Sequence, residues 1–386
     1  MITTGEMTGP IAIYGASGYT GRLVAEELAH AGVEFVVAGR NRDKLEAAAV
    51  AVSGIVPRNS SSGDAMGMPR IEVVGIENAS GLRELFSGCS AVIACAGPFS
   101  LHGEPVLAAA VDSGTHYLDT TGEQPFMLTA FEGYGRRAEK AGIVVLPAMG
   151  YDYVPADLLV ALTARDVTDP IDRIRIAYHS PFQPSRGTVR SSLEMVKGGD
   201  VEWRDGTLRT APQKVSRPDF DFGPPLGPKK MMRFPGGEHV TVPRHLGVRS
   251  IETSMTSESI LPSWIAGLMP LLARPTGLVM RTPARAAVSR LVSLMPEGAR
   301  PEDRDSTRFA IGCEITSTGG TRRGLMTGTD VYGLTAALIV KGALAAARGE
   351  IVPSGALAPA EAFDPEEFLA GMDRFELEWT VDRDAD

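Results

Sequence analysis

Between Pro10 and Arg40 an apolar segment, Ile11–Tyr14, runs straight into Gly15-Ala-Ser-Gly-Tyr-Thr-Gly21, followed by a helical pattern and a second apolar segment, Phe35–Ala38. Few folds accept this order. Gly15, Gly18 and Gly21 remove Cβ atoms where backbone must pass close to a ligand. The helix that opens near Ser17–Thr20 offers unpaired N–H groups and a partial positive charge to an anion. Leu23, Val24 and Leu28 lie on one helical stripe, and Ala31-Gly32 stops the helix before the next apolar run. The segment therefore reads as a complete β-α-β unit for a dinucleotide, with Gly15, Ala16, Ser17, Gly18, Tyr19 and Thr20 around the pyrophosphate.

The end of the second strand selects the cofactor. An acidic residue about 20 positions past the glycines accepts hydrogen bonds from the ribose hydroxyls in the NAD-type fingerprint. Here that place holds Gly39-Arg40-Asn41-Arg42. A guanidinium grips a phosphate and repels none, so Gly39, Arg40 and Asn41 point to NADP(H) over NAD(H). The alternative for Arg40 is an ordinary exposed arginine at a helix start.

Strand and helix patterns then alternate. Strands are expected at Ile71–Val74, Ala91–Ala96, His116–Leu118 and Ile143–Leu146, with helices at Arg42–Val52, Ala79–Ser87, Glu104–Ser113 and Phe126–Ala141; Ser53–Pro69 reads as a loop. With the first two strands this makes a six-stranded, doubly wound parallel sheet of the α/β class, whose ligands sit at the carboxyl ends of the strands. Glu77 then falls at the adenine edge. Ala96, Gly97 and Pro98 fall beside the nicotinamide, where a residue without a side chain followed by one of fixed φ suits close passage of backbone.

Past Pro155 the character changes. Ile171–Tyr178, Thr307–Thr316 and Arg322–Gly328 read as strands of a mixed or antiparallel sheet, the last two joined as a hairpin. Pro212–Pro296 is rich in Pro and Met and poor in periodicity, which suits a lid. The apolar helix Tyr332–Arg348, with Gly349 placed to cap it, returns to the first domain. The expected organisation is a Rossmann-type domain at 1–155, completed by 330–386, around an inserted α+β substrate and dimerisation domain at 156–329.

Charge and cysteine usage narrow the partners. A formal charge of -9 gives no basic field for nucleic acid. Three cysteines, Cys89, Cys95 and Cys313, are too few and too scattered for a disulfide framework or a cysteine-based zinc site, and fit a reducing, cytoplasmic setting. His30, His116, His179, His239 and His245 show no metal-ligand spacing, so no metal is expected. Met1–Gly9 has neither the basic start nor the apolar core of a signal peptide. The lipophilic stretch Ile260–Ala273 is broken by Pro262 and Pro270, and falls short of the roughly 20 uninterrupted apolar residues that span a bilayer. It reads as a helical hairpin packed on its own domain, an acyl-chain tunnel or a peripheral membrane contact.

The chain resembles the saccharopine dehydrogenase-like reductases, and among them most closely the trans-acting enoyl reductase group. The resemblance covers nearly the whole chain. It rests on Tyr14-Gly-Ala-Ser-Gly-Tyr-Thr-Gly-Arg-Leu23, Ala38-Gly-Arg40, Gly97-Pro-Phe99 with Gly103-Glu-Pro-Val106, and Gly114-Thr-His-Tyr-Leu-Asp-Thr-Thr-Gly-Glu123. It continues through Gly150-Tyr-Asp-Tyr-Val-Pro-Ala-Asp157, Gly187-Thr188, Asp330-Val-Tyr-Gly-Leu-Thr-Ala336 and Gly355-Ala-Leu-Ala-Pro359. It implies an NADP-binding Rossmann domain, an inserted dimerisation domain, a homodimer, and reduction of an enoyl thioester on a carrier or of an imine derived from an amino acid. This chain is shorter in the middle than the enoyl reductases it resembles.

Either reduction needs a proton and polarisation of the acceptor beside the nicotinamide. Tyr151, Asp152 and Tyr153 follow the sixth strand and are the candidate catalytic group, with Tyr151 first; the alternative for Tyr151 is an aromatic packed at a domain joint with its hydroxyl satisfied. Phe99, His102, Thr121 and Glu123 are the substrate-side candidates on the strand ends, although Glu123 also suits a junction-orienting role. Asp119, followed by Thr-Thr-Gly, suits a turn or cap. Arg186 and Arg190, flanking Gly187-Thr188, could begin a carboxylate clamp for an amino-acid substrate. A protein that holds NADP(H) as a sensor without turnover fits the same binding motifs.

Overall fold

The computed structural model describes residues 7–58, 65, 67–181, 184–212, 216–259 and 292–382. The chain divides into two compact units, 1–151 with 332–357 and 152–331 with 358–386. The lipophilic stretch 260–280 lies outside the described residues.

In the first unit the apolar runs form β1 (Ile11–Tyr14), β2 (Phe35–Gly39), β3 (Arg70–Val73), β4 (Ala91–Ala94), β5 (His116–Asp119) and β6 (Val144–Leu146). Gly355–Ala356, which pairs with Val144 and Val145, adds a seventh strand, β15. All pairs are parallel and the order is β15-β6-β5-β4-β1-β2-β3. The middle strands β1, β2 and β4 are buried along their whole length, as a parallel sheet covered on both faces requires. The seventh strand escapes periodicity because two residues show no alternation; Gly355 at φ 124 also needs a backbone conformation other residues avoid.

Helices α1 (Tyr19–Ala31), α2 (Arg42–Val52), α3 (Ala79–Ser87) and α4 (Phe99–Ser113) connect the strands. Left-handed Gly32 and Gly114 end α1 and α4. The expected single helix at Phe126–Ala141 is divided into α5 (Gln124–Leu128), a π-helical turn at Thr129–Tyr134, and α6 (Gly135–Ala141). The later apolar helix, Val331–Ala347, ends at Gly349 with φ 68, whose N–H donates to Ala346.

The second unit is built on a mixed sheet in the order β10-β11-β12-β7-β13-β14-β16. Its strands are β7 (Ile171–His179), β10 (Ser216–Asp221), β11 (Pro228–Arg233), β12 (Val248–Thr256), β13 (Arg308–Ser317), β14 (Gly320–Thr329) and β16 (Glu378–Asp382). The separate hairpin β8 (Val201–Arg204) and β9 (Thr207–Thr210) stands beside it. β13 and β14 form the expected hairpin, closed by Ser317 opposite Gly320, while β7 pairs parallel with β12.

Two expectations change here. The sequence suggested little order between Pro212 and Pro296, but β10, β11, β12 and the helix Glu238–His245 occupy much of 216–256. Their order comes from pairing across the sheet, which a local pattern does not carry. The tail also divides: β16 pairs with β14, so 358–386 belongs with the second unit and only 332–357 with the first.

α7 (Val154–Ala164) carries the fully buried Asp157, whose carboxylate meets His245 Nε2 at 3.1 Å and accepts Ala360 N–H at 2.9 Å. Burial opposes both charges. The opposite partner wins, holding Asp157 below and His245 above its ordinary value.

Candidate functional site

The parallel strands of the first unit bring the segments that follow them to one edge of the sheet, at their carboxyl ends. Gly15 leaves β1 at φ 87, and a Cβ there would come within 2.9 Å of Ala96 N. A Cβ on Gly21 would lie 2.8 Å from Ala16 Cα. Both positions therefore need glycine to let turn, helix and the β4 loop close together. Gly18 caps α1 without a side-chain hydrogen bond, and the first turn holds no acidic residue. This helix start is open to an anion, supported by the dipole behind it. Ser17, Tyr19 and Thr20 are half-buried around it and Ala16 is buried. The Tyr19 ring packs edge-on to Tyr332 at 5.0 Å.

Arg40 is exposed immediately after β2, beyond buried Gly39. Asn41 stands beside it, but its side chain accepts Lys44 N–H and caps α2. Glu77 is exposed after β3, next to the Asn78 cap of α3. Behind this edge, Tyr14 donates to the Val74 carbonyl, and burial pushes its hydroxyl up to about 12. The β4 loop presents half-buried Ala96, then exposed Gly97 joined by a cis peptide bond to half-buried Pro98.

The substrate-side candidates divide. Glu123 is buried, and its two carboxylate oxygens accept Phe99 N–H at 2.8 Å and Ser100 N–H at 2.9 Å. It caps α4 from a distance in sequence. Thr121 is buried with its hydroxyl accepting Glu123 N–H, and the Phe99 ring is buried against Phe126. These three build the wall of the site, whereas His102 is half-exposed on α4. Asp119 takes the turn role: one oxygen accepts Thr121 N–H at 2.8 Å and Ala148 N–H at 3.0 Å. Burial, only partly offset by those bonds, pushes its carboxyl up to about 7.

Tyr151 ends the first unit, buried, with its N–H donating to Thr335 Oγ1 at 3.0 Å. In the second unit Asp152 is reached by solvent, although the protein packed round it pushes its carboxyl up to about 6, and Tyr153 is buried at the start of α7. Arg186 and Arg190 lie on α8 (Arg186–Gly198). The Arg186 guanidinium is spent on the Met295 carbonyl through Nε at 3.0 Å and a second nitrogen at 2.6 Å; Arg190 is exposed.

The glycine cradle, the uncapped helix and the cation beyond β2 agree with an independent match: the family described as saccharopine dehydrogenase NADP binding domain covers residues 11–146. Residues 11–146 are a saccharopine dehydrogenase NADP binding domain. The cofactor of this domain is NADP(H). A saccharopine dehydrogenase-like oxidoreductase from Bos taurus is 27% identical over 238 residues, covering 58% of this chain and 52% of that protein. A putative trans-acting enoyl reductase from Mycobacterium tuberculosis is 29% identical over 229 residues, covering 57% of this chain and 51% of that protein. The chain thus spans about half the length of the curated relatives it matches. The fold is that of saccharopine dehydrogenase (L-Glu forming) from Saccharomyces cerevisiae, which superposes with a TM-score of 0.58 at 14% identity over 97% of this chain and all of that one.

Outside the NADP binding domain the structure shows a buried acid that sequence reasoning did not single out. Glu238 opens α9 (Glu238–His245) and is fully buried; burial pushes its carboxyl up to about 8, against the lowering effect of Tyr178. Tyr178 Oη meets both a Glu238 oxygen and the Asp152 carbonyl, the latter at 2.7 Å. No local motif marks Glu238, because its partners lie on other elements. The adjacent His239 is structural: its ring nitrogens engage Trp203 N–H and the Thr253 hydroxyl, and burial pushes it down to about 3.

Proposed function

We propose that this chain is an NADPH-dependent oxidoreductase that reduces the C=C bond of an enoyl thioester on an acyl carrier or lipid-type substrate. The observation that carries the redox reading is the uncapped start of α1 together with Arg40 beyond β2. In this reading the turn and uncapped start of α1 hold the pyrophosphate and Arg40 holds the 2′-phosphate. Bound NADPH supplies the reducing equivalent. Tyr151, with Asp152 and Tyr153 beside it in sequence, supplies the proton. The Phe99 and Ser100 N–H groups are held by Glu123 and Pro98 has none, so these positions of the β4 loop offer no amide to the acceptor oxygen.

Two observations favour the thioester over an imine. A similar protein carries the name of a trans-acting enoyl reductase, and Arg186 is committed to a backbone carbonyl, which removes one half of the clamp an amino-acid carboxylate would need. Stopped-flow oxidation of NADPH by trans-2-enoyl thioesters, set against amino acid and aldehyde mixtures, tests the choice. Turnover of the thioester alone is the expected result. Turnover of the imine mixture alone reverses the assignment, and tight NADPH binding with no turnover on either class identifies a sensor.

A further inference from the structure

Tyr178 has one phenolic hydrogen and two oxygens facing it, the Asp152 carbonyl at 2.7 Å and a Glu238 carboxyl oxygen. A carbonyl only accepts. If the hydrogen goes to Glu238 as a carboxylate, two lone-pair oxygens, the phenol and the carbonyl, are pressed together with nothing between them. If it goes to the carbonyl, Glu238 must bring a hydrogen of its own. The network closes only in the second arrangement.

The surroundings agree. Glu238 is 0% exposed, and its second oxygen has no hydrogen-bond partner among the described residues. A Cβ on Gly236 would run into that same oxygen, so the pocket fits the carboxyl closely. Titratable groups in electrostatic reach of Glu238 are Tyr178 on β7, Asp152, Asp157 on α7 and Cys313 on β13, none of them cationic. A carboxylate here would be buried, half-bonded and beside two other acids, which is a costly state for a charge.

We propose that Glu238 is a positioning residue for the reduction: as a neutral acid it donates to Tyr178 Oη, so that the phenolic hydrogen holds the Asp152 carbonyl and with it the Tyr151–Tyr153 segment. This rests on the reductase reading and on Tyr151–Tyr153 as its proton-donating segment. Raising the pH ionises Glu238, turns Tyr178 toward the carboxylate and releases the carbonyl.

Infrared difference spectra of the whole protein at pH 7, wild type minus Glu238→Gln, test the proton directly. A protonated-carboxyl C=O band that belongs to Glu238 and bleaches as the pH is raised is expected; carboxylate bands alone overturn the proposal. NADPH oxidation tests the consequence. Tyr178→Phe and Glu238→Ala are expected to lower kcat about tenfold, the rate equivalent of one lost hydrogen bond, with KM for NADPH unchanged. Glu238→Gln, which keeps a donor that cannot ionise, restores the loss seen in the alanine variant and removes the alkaline fall of the wild-type profile. An alkaline limb unaltered in Glu238→Gln, or Glu238→Ala matching wild type, overturns the proposal. Wild type with the band and no NADPH oxidation sinks the reductase reading and leaves the proton assignment standing, whereas oxidation without the band does the reverse.

Discussion

In the proposed reading Arg40, exposed immediately after β2, carries the choice of cofactor on one side chain. Arg40→Glu replaces a bidentate grip with repulsion. We expect NADPH affinity, followed by fluorescence titration, to fall at least about tenfold while NADH binding holds or improves; unchanged selectivity would remove Arg40 from the site. Asp119 makes a second prediction at this scale. An acid that titrates near 4 when unfolded and at about 7 when folded binds more protons in the folded state, so it withdraws stability as pH rises through that window. Asp119→Asn, neutral throughout and still able to accept from Thr121 and Ala148, should gain thermal midpoint on wild type between pH 4 and 7. Parallel curves would count against a protonated Asp119. The position of Arg40 directly after β2 was legible from the sequence. The work of Glu123 and Glu238 was not, because each acts on an element remote in sequence.

Among the elements, α1 and α4 show two ways of starting a helix. α1 begins with no side-chain cap at Gly18, whereas α4 has two of its amides taken by Glu123. Glu123→Ala should therefore cost about 1–2 kcal/mol of stability, read from the denaturant midpoint, with Glu123→Gln recovering part of it. Gly21→Ala should act differently. Its added methyl meets the backbone of Gly15 and Ala16, which has no rotamer to change, so NADPH binding should be lost even where the fold survives. Wild-type NADPH affinity in that variant would show that the turn can relax. The strands of the first sheet were legible as apolar runs of fixed length between glycine turns. β10 to β12 were not, since their residues are selected by neighbours across the mixed sheet rather than by local alternation.

At the scale of the molecule, the two units make a prediction of their own. NADPH binds a domain that lies in the first unit, while the described tryptophans, Trp203 and Trp379, belong to the second. Saturation at about a hundred times Kd adds about 2.7 kcal/mol to whatever unfolds together with the site. If the units unfold separately, NADPH moves the transition seen by cofactor fluorescence and leaves the tryptophan transition in place; a common shift of both shows one cooperative unit. The sequence by itself determined the parallel α/β sheet and its NADP-binding edge, because a glycine turn between strand and helix, and the charge one strand later, are local features whose chemistry survives without knowledge of the rest of the chain. Only the tertiary structure decided that the tail is shared between the units, that Glu123 caps a helix, and that Glu238 stands against Tyr178 and the Asp152 carbonyl. Burial and hydrogen bonding between residues far apart in sequence set those roles, and no short window contains both partners.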